Sequence, residues 1–253
     1  MNKKTKIALC LSGEPRSSMF CFPYIYESFI NLGPEYEVDV YIHSWKNFRA
    51  LKLYNPKEYS IDWINEELTF LEIWEELKTK KLGSNVSEIL NEATKYTYNQ
   101  NAIKNYFLMY MSMQKCFNLI KTPYDIYIRG RFDFYFPFPL NLIPILKEFK
   151  TNKYDISLPL IERTLVPSPG LTKNFHIYSD QLSICNPKAA KYYFNMSQNI
   201  FDLIKTTDSI DSHDWLKSYI NNSELNINTH SFPIDLVRSS RIITQQNEPY
   251  FDN

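Results

Sequence analysis

Residues 7–45, IALCLSGEPRSSMFCFPYIYESFINLGPEYEVDVYIHSW, decide the fold. Residues 7–12 form an apolar run, which predicts a buried strand. Residues 19–32 can form a helix that ends at Gly33. The run 38–45 alternates and is rich in β-branched residues, so it predicts a second strand. A strand, a helix and a strand in immediate succession predict a βαβ unit with two parallel strands.

The rest of the chain adds further elements of both kinds. We expect helices over residues 63–81, with Asp62 as the cap, and over 101–121, 140–150, 186–205 and 211–223. We expect strands over residues 124–136, 154–160, 176–185 and 225–231. Together these elements predict a single α/β domain, in which a mostly parallel, Rossmann-like sheet carries helices on both faces.

Composition narrows the class of protein. Lysine plus arginine equals aspartate plus glutamate, at 28 each, so neither nucleic acid nor anionic lipid is expected as a partner. The five glycines fit neither the GxGxxG nor the GxxxxGK[ST] spacing, which excludes both glycine-rich phosphate loops. No run reaches the roughly 18 apolar residues of a membrane span. The first apolar run is too short for a signal peptide, and the four cysteines lack CxxC spacing, so we expect buried free thiols and a cytoplasmic location.

Charged residues interrupt the most apolar predicted strand, residues 124–136, YDIYIRGRFDFYF. Alternation along a strand places Arg129, Arg131 and Asp133 on one face. In an open α/β sheet, ligands bind at the carboxyl ends of strands. Two guanidinium groups fit a diphosphate, and a carboxylate fits a divalent metal or a sugar hydroxyl. An ion-pair cluster with no ligand is an equally good interpretation of the same spacing.

Four blocks of the sequence resemble the GT-A fold glycosyltransferases that use nucleotide-sugar donors. More narrowly, the chain resembles bacterial and large-virus surface-glycan transferases. The blocks are KIALCLSGEPRS (6–17), VDVYIHSW (38–45), MYMSMQKCFNLIK with YDIYIRGRFDFYF (109–121 and 124–136), and YSDQLSICNPKAAKYY (178–193). In this narrower group the strand ends in R-x-R-x-D, at the position where most GT-A enzymes have the D-x-D motif. The resemblance covers about residues 5–220 and implies a GT-A-like fold and transfer of a sugar to a glycan acceptor.

The resemblance also implies a nucleotide-binding half, residues 1–136, and a half for donor sugar and acceptor, residues 137–253. In the first half, the nucleotide-sugar donor would meet Ser12, Gly13, Arg16, His43, Arg129, Arg131 and Asp133. His43 could equally be a core histidine at a strand end. In the second half, Asp180 would lie on the donor-sugar or acceptor side.

The resemblance leaves the metal uncertain. Asp133 would bind Mn²⁺ or Mg²⁺ at the D-x-D position, where these ions use one or two carboxylates plus phosphates. Arg131, however, occupies the place of the first carboxylate and would repel a cation. The arginines could neutralise the diphosphate instead.

An inverting transferase needs a base for the acceptor hydroxyl, and we rank Asp180 above Asp214 for this role. Asp211 is better explained as a helix cap. Two other functions remain open. One is a non-catalytic glycan- or nucleotide-binding domain of the same fold. The other is a sugar nucleotidyltransferase, although SGEPRS has only one glycine for its nucleotide loop.

Overall fold

The computed structural model describes residues 3–15, 17–45, 49–63, 75, 97–136, 138–168, 171–209, 211–230 and 235–236. Its strands are β1 (Thr5–Gly13), β2 (Tyr36–Trp45), β3 (Glu58–Asp62), β4 (Ile126–Gly130), β5 (Phe134–Tyr135), β6 (Ile156–Ser168), β7 (Leu171–Tyr178), β8 (Ser183–Cys185), β9 (Ile227–His230) and β10 (Asp235–Leu236). Its helices are α1 (Ser18–Ile25, continued by a π-helical turn, Tyr26–Ile30), α2 (Arg49–Tyr54), α3 (Thr97–Asn118), α4 (Ile143–Lys150), α5 (Pro187–Tyr193), a 3₁₀ turn (Met196–Asn199), α6 (Ile200–Thr207) and α7 (Ser212–Asn221).

One mixed sheet runs through both halves of the chain, in the order β3-β2-β1-β4-β8-β6-β7, with β9 also paired to β6. The pairs β1–β2, β2–β3, β1–β4 and β6–β9 are parallel. The pairs β4–β8, β6–β8 and β6–β7 are antiparallel. Strands β5 and β10 form a separate antiparallel pair.

Alternation along β1 divides the core into two layers. Ile7, Leu9 and Leu11 pack against α1, α2 and α4, whereas Ala8 and Cys10 pack against α3 and the helices α5–α7. Each layer buries large apolar side chains, and burial of this kind supplies most of the free energy of folding. The prediction of an α/β fold with a mostly parallel sheet and helices on both faces is therefore confirmed.

The predicted strand 124–136 is wrong in its second half. β4 ends at Gly130, and Arg131 to Asp133 form a turn before the short β5. Arg129, Arg131 and Asp133 therefore do not share one strand face. The alternating pattern continues through the turn, which is why the sequence alone conceals the break.

Three other boundaries differ from the predictions. Asp62 is the last residue of β3, a strand that the sequence analysis missed, and the helix expected after it falls almost wholly outside the described residues. The run 176–185 is split into β7 and β8 by a loop, and the predicted helix 186–205 is broken by the 3₁₀ turn. All four cysteines are buried free thiols, as predicted.

The hairpin formed by β6 and β7 extends beyond the sheet. β6 pairs with β8 and β9 only over residues 156–159, whereas its partners from Leu160 onward belong to β7. β6 runs in the same direction as β4, because each is antiparallel to β8. The hairpin therefore projects past the edge of the sheet at which β1, β2 and β4 end. Among the described residues, no helix is long and apolar enough to cross a membrane.

The central position of β4 gives a first prediction. Ile128 is completely buried between Leu9 of β1 and Ile184 of β8. We expect Ile128→Ala to lower the free energy of unfolding by about 2–5 kcal/mol, and Ile128→Val by about 0.5–1.5 kcal/mol, because each leaves a cavity in proportion to the atoms removed. Urea unfolding measures both, and Met19→Ala at an exposed position is the control, with a change within about 0.5 kcal/mol. Equal effects at the two positions would contradict the described packing.

Candidate functional site

The site is placed by the order of the strands. From β1 the chain passes through α1 to β2 on one side of β1, and it later passes through α3 to β4 on the other side. α1 and α3 lie on opposite faces of the sheet. The junction of β1 and β4 is therefore a topological switch point, and at such a point the ligand-binding crevice of an open α/β sheet is expected outside the carboxyl ends of the strands.

Ser12 and Gly13 end β1 on one side of this crevice. Gly13 has a φ of +113°, which strains any residue with a side chain, and, apart from its two chain neighbours, no heavy atom of the described residues lies within 4 Å of where its Cβ would be. The β1–β2 register places Ser12 beside His43 and Gly13 beside Ser44. The backbone at Gly13 is thus open to close approach by another molecule.

Arg129 lies in β4 but does not reach the crevice. Its side chain is 1% exposed, and its Nη1 donates a hydrogen bond to the backbone carbonyl of Asp180. Its Nε has no hydrogen-bond partner in the described part of the chain. In this conformation Arg129 supports the Asp180 loop from inside the protein and makes no surface for a ligand.

Arg131 and Asp133 form a bidentate ion pair in the turn after β4. Nε and Nη2 of Arg131 donate to the two carboxylate oxygens of Asp133, each at 2.8 Å. The side chain of Arg131 is 25% exposed and that of Asp133 is 9% exposed. Burial opposes the charge on Arg131, but the hydrogen bonds and charge of Asp133, aided by Asp180, outweigh it and raise the pKa of Arg131. Arg131 is therefore the group of this pair that faces solvent.

Asp180 lies in the loop between β7 and β8, at the same edge of the sheet. The register opposes Ser183 to Arg129, which brings the loop next to β4. Asp180 is buried, and its Oδ2 accepts a hydrogen bond from the hydroxyl of Ser212 at 3.1 Å. The hydroxyl of Tyr110 in turn donates to the backbone carbonyl of Ser212 at 3.1 Å. Sequence reasoning missed Ser212 and Tyr110, because only the packing of α3 and α7 brings them to Asp180.

His43 lies on β2, beside Ser12, and is buried and neutral. Its Nδ1 lies 2.6 Å from the hydroxyl of Ser112, and its Nε2 lies 3.4 Å from Asp62 Oδ2. Burial lowers the pKa of His43 to about 4, against the opposing effect of Asp62. Since a carboxylate only accepts hydrogen bonds, Nε2 carries the proton and Nδ1 accepts from Ser112.

A cluster on the more exposed side of His43 consists of Asp62, Lys115 and Trp45. The ammonium group of Lys115 bonds to Asp62 and lies 5.5 Å from the centre of the Trp45 ring. The hydrogen bond from Lys115 is the main cause that lowers the pKa of Asp62. Nothing in the sequence pattern indicated this cluster, because Asp62 was expected to cap a helix.

The remaining predicted residues lie at different distances from this crevice. Asp211 caps α7 by accepting from the His213 amide at 2.7 Å, as expected. Asp214 is exposed and accepts from the Ser209 hydroxyl at 2.7 Å, so nothing in its contacts joins it to Asp180. Arg16 lies outside the described residues.

The side chains at Asp133 do not fit a divalent cation. Both oxygens of Asp133 are occupied by Arg131, and a guanidinium at this distance would repel a metal. Among the described residues, no group of three His, Cys, Asp or Glu side chains could hold a metal ion. No step at this site is therefore assigned to a metal.

The buried His43 predicts how stability depends on pH. Because its pKa is about 4 in the folded protein and 6.5 in an unfolded chain, the unfolded state binds more protons between these values, and stability falls as the pH is lowered through this window. From pH 7 to pH 5 the loss due to His43 is roughly 2 kcal/mol. Urea unfolding at both pH values should show a smaller loss for His43→Gln than for the original chain. An equal loss would mean that His43 is protonated in the fold.

Comparison with known proteins gives distant structural similarity only. No protein-family model matches the chain, and no curated protein matches it. It is similar to 4-diphosphocytidyl-2C-methyl-D-erythritol synthase from Anaerococcus prevotii, with 8% identity, a TM-score of 0.48, and coverage of 95% of this chain and 94% of the other. It is also similar to 2-C-methyl-D-erythritol 4-phosphate cytidylyltransferase from Thermus thermophilus, with 5% identity, a TM-score of 0.46, and coverage of 96% of each chain. Its similarity to mouse xyloside xylosyltransferase 1 has 11% identity, a TM-score of 0.42, and coverage of 90% of this chain and 84% of the other.

Proposed function

We propose that this protein is a glycosyltransferase that moves a sugar from a nucleotide-diphosphate donor to a hydroxyl of a glycan acceptor. One observation carries the proposal. The register opposes Leu11 to Gly130 and Ser183 to Arg129, so the segments that follow or precede them, Ser12–Gly13, Arg131–Asp133 and the Asp180 loop, adjoin the switch point between β1 and β4. This is the place where open α/β sheets bind nucleotides.

The two sides of the crevice suit the two parts of such a donor. Gly13 leaves its backbone open, so a ribose or phosphate can approach closely without meeting a side chain. Arg131 presents a partly exposed guanidinium, which matches the geometry of phosphate oxygens. When the sugar is transferred, the nucleoside diphosphate leaves with additional negative charge, and fixed N–H donors stabilise it best because they need not reorient.

The acceptor would approach from the side of the β6–β7 hairpin. Asp180 follows directly after this hairpin and carries a carboxylate whose Oδ2 is held by Ser212. Its Oδ1 makes no hydrogen bond to the described residues and could accept the proton of an acceptor hydroxyl. We assign Asp180 as the general base in preference to Asp214, which is exposed and bonded to Ser209.

Binding of a nucleotide to the purified chain is the direct test. Thermal unfolding would be followed with UDP, GDP, CMP and TDP, and with S-adenosylmethionine as a control ligand of another enzyme class. We expect one nucleotide to raise the melting temperature, since a ligand at a hundredfold excess over Kd stabilises the folded state by about 2.7 kcal/mol. No shift with any nucleoside diphosphate, or a shift with CMP or S-adenosylmethionine alone, would contradict the proposal.

The role of Asp180 gives a second test, with the nucleotide-sugar that matches the nucleotide found above. We expect Asp180→Asn to lower kcat by about 10²–10⁴-fold, the usual contribution of general base catalysis, and to retain the thermal shift with nucleotide. Asp214→Asn is the matched control and should keep kcat within a few fold. A similar kcat for Asp180→Asn and the original chain would remove Asp180 from the mechanism. Release of pyrophosphate from a nucleoside triphosphate and a sugar phosphate, supplied in place of the nucleotide-sugar, would identify a nucleotidyltransferase.

A further inference from the structure

We infer that Arg131, held rigid by Asp133, takes the place of a divalent cation and faces the donor diphosphate, so that the site binds a nucleoside diphosphate without metal. The inference rests on the proposed function and adds to it how the diphosphate charge is met. It also gives Asp133 a different role from the one that the resemblance implies. Asp133 positions the guanidinium and does not bind a metal.

Asp133 is engaged by Arg131 through both of its carboxylate oxygens. Both of its oxygens accept from Arg131 at 2.8 Å, and its side chain is almost enclosed. A metal bound to these oxygens would stand beside the guanidinium and be repelled by its charge, or would have to displace it. Breaking a largely buried bidentate pair leaves an uncompensated charge, which is strongly unfavourable.

Arg131 retains donors beyond those that Asp133 takes. A guanidinium has five N–H groups, and Asp133 takes one on Nε and one on Nη2. Three N–H groups, two on Nη1 and one on Nη2, make no hydrogen bond to the described residues. Because Arg131 is one quarter exposed, these groups can meet a ligand from the crevice. Two parallel bonds to Asp133 fix the plane of the guanidinium and hence the direction of the free donors.

The charged groups near Arg131 also bear on which ligand it can meet. Arg129 lies two residues before Arg131 in the chain, and Asp180 is close enough to raise the pKa of Arg131. The two arginines and the two aspartates sum to a net charge of zero. A divalent cation beside these two guanidinium groups would be repelled by both. An anion, by contrast, would find N–H donors on Arg131 that Asp133 already holds in a fixed direction.

The closing experiment measures nucleotide binding with and without metal on the complete chain. The nucleoside diphosphate found in the thermal panel would be titrated by calorimetry in EDTA and in Mn²⁺. We expect the two Kd values to agree within about twofold. Binding that occurs only with Mn²⁺ would overturn this inference and leave the proposed function standing. Absence of binding under both conditions would contradict the proposed function itself.

Variants at the ion pair test the positions of the two groups. Arg131→Lys loses the planar fork and should weaken binding in EDTA by about 10- to 100-fold, the range expected for lost charge-assisted hydrogen bonds. Lys147→Ala, on the exposed side of α4, is the control and should bind normally. Urea unfolding of each variant separates loss of binding from loss of the fold. Unchanged binding by a folded Arg131→Lys would contradict the inference.

Arg131→Asp restores a carboxylate at the position where the D-x-D motif has its first aspartate. This change places two carboxylates two residues apart, as ligands that a divalent cation prefers together with phosphate oxygens. We expect the variant, with nucleotide, to bind Mn²⁺ measurably by electron paramagnetic resonance, and the original chain to leave Mn²⁺ free. Equal Mn²⁺ binding by the two proteins, at either level, would contradict the inference.

Discussion

The buried guanidinium of Arg129 is the constraint on which the arrangement of the site depends. A charge inside a protein is costly unless it is paired and hydrogen-bonded, and this side chain is almost inaccessible to water. Its hydrogen bond to the backbone of Asp180 joins β4 to a loop 51 residues further along the chain. β4 is also the strand at which parallel pairing with β1 changes to antiparallel pairing with β8. Arg129 therefore holds β4 and the Asp180 loop together where the parallel and antiparallel parts of the sheet meet. This contact also sets the position of Asp180.

The sequence predicted well those features that depend on local pattern. The first βαβ unit, the buried cysteines and the cap at Asp211 follow from hydrophobic period, cysteine spacing and residue preference. The run 124–136 was misjudged because Arg131 and Asp133 keep a period of two, although they pair with each other across a turn. Two residues that alternate in a strand and two residues that pair in a turn have the same spacing, so the period cannot distinguish them.

The parts of the site that the sequence did not predict all require tertiary packing. Ser112 and Lys115 lie on α3, and only the packing of α3 on the sheet brings them to His43 and Asp62. Ser212 reaches Asp180 across 32 residues of sequence. A short polar side chain gives no signal of such a contact, since serine is common on helix surfaces and at helix starts.

Charge balance at the switch point has a consequence for the kind of ligand that the site can select. Of the described residues, Arg129, Arg131, Asp133 and Asp180 sum to no net charge, so these four groups give little net attraction for a diphosphate over a distance. Its recognition would depend on N–H groups in fixed directions, which discriminate by geometry and lose little strength to salt when they are partly buried. The β6–β7 hairpin adds to this fixed geometry, because the amide of Ser179 at its base donates to the carbonyl of Pro159 at 2.8 Å. Asp180, the next residue, is thus held by the hairpin base, by Arg129 and by Ser212. Because three elements restrain Asp180, its carboxylate can stay at a fixed distance from a bound donor. A general base needs this fixed position in order to take the proton of an acceptor hydroxyl.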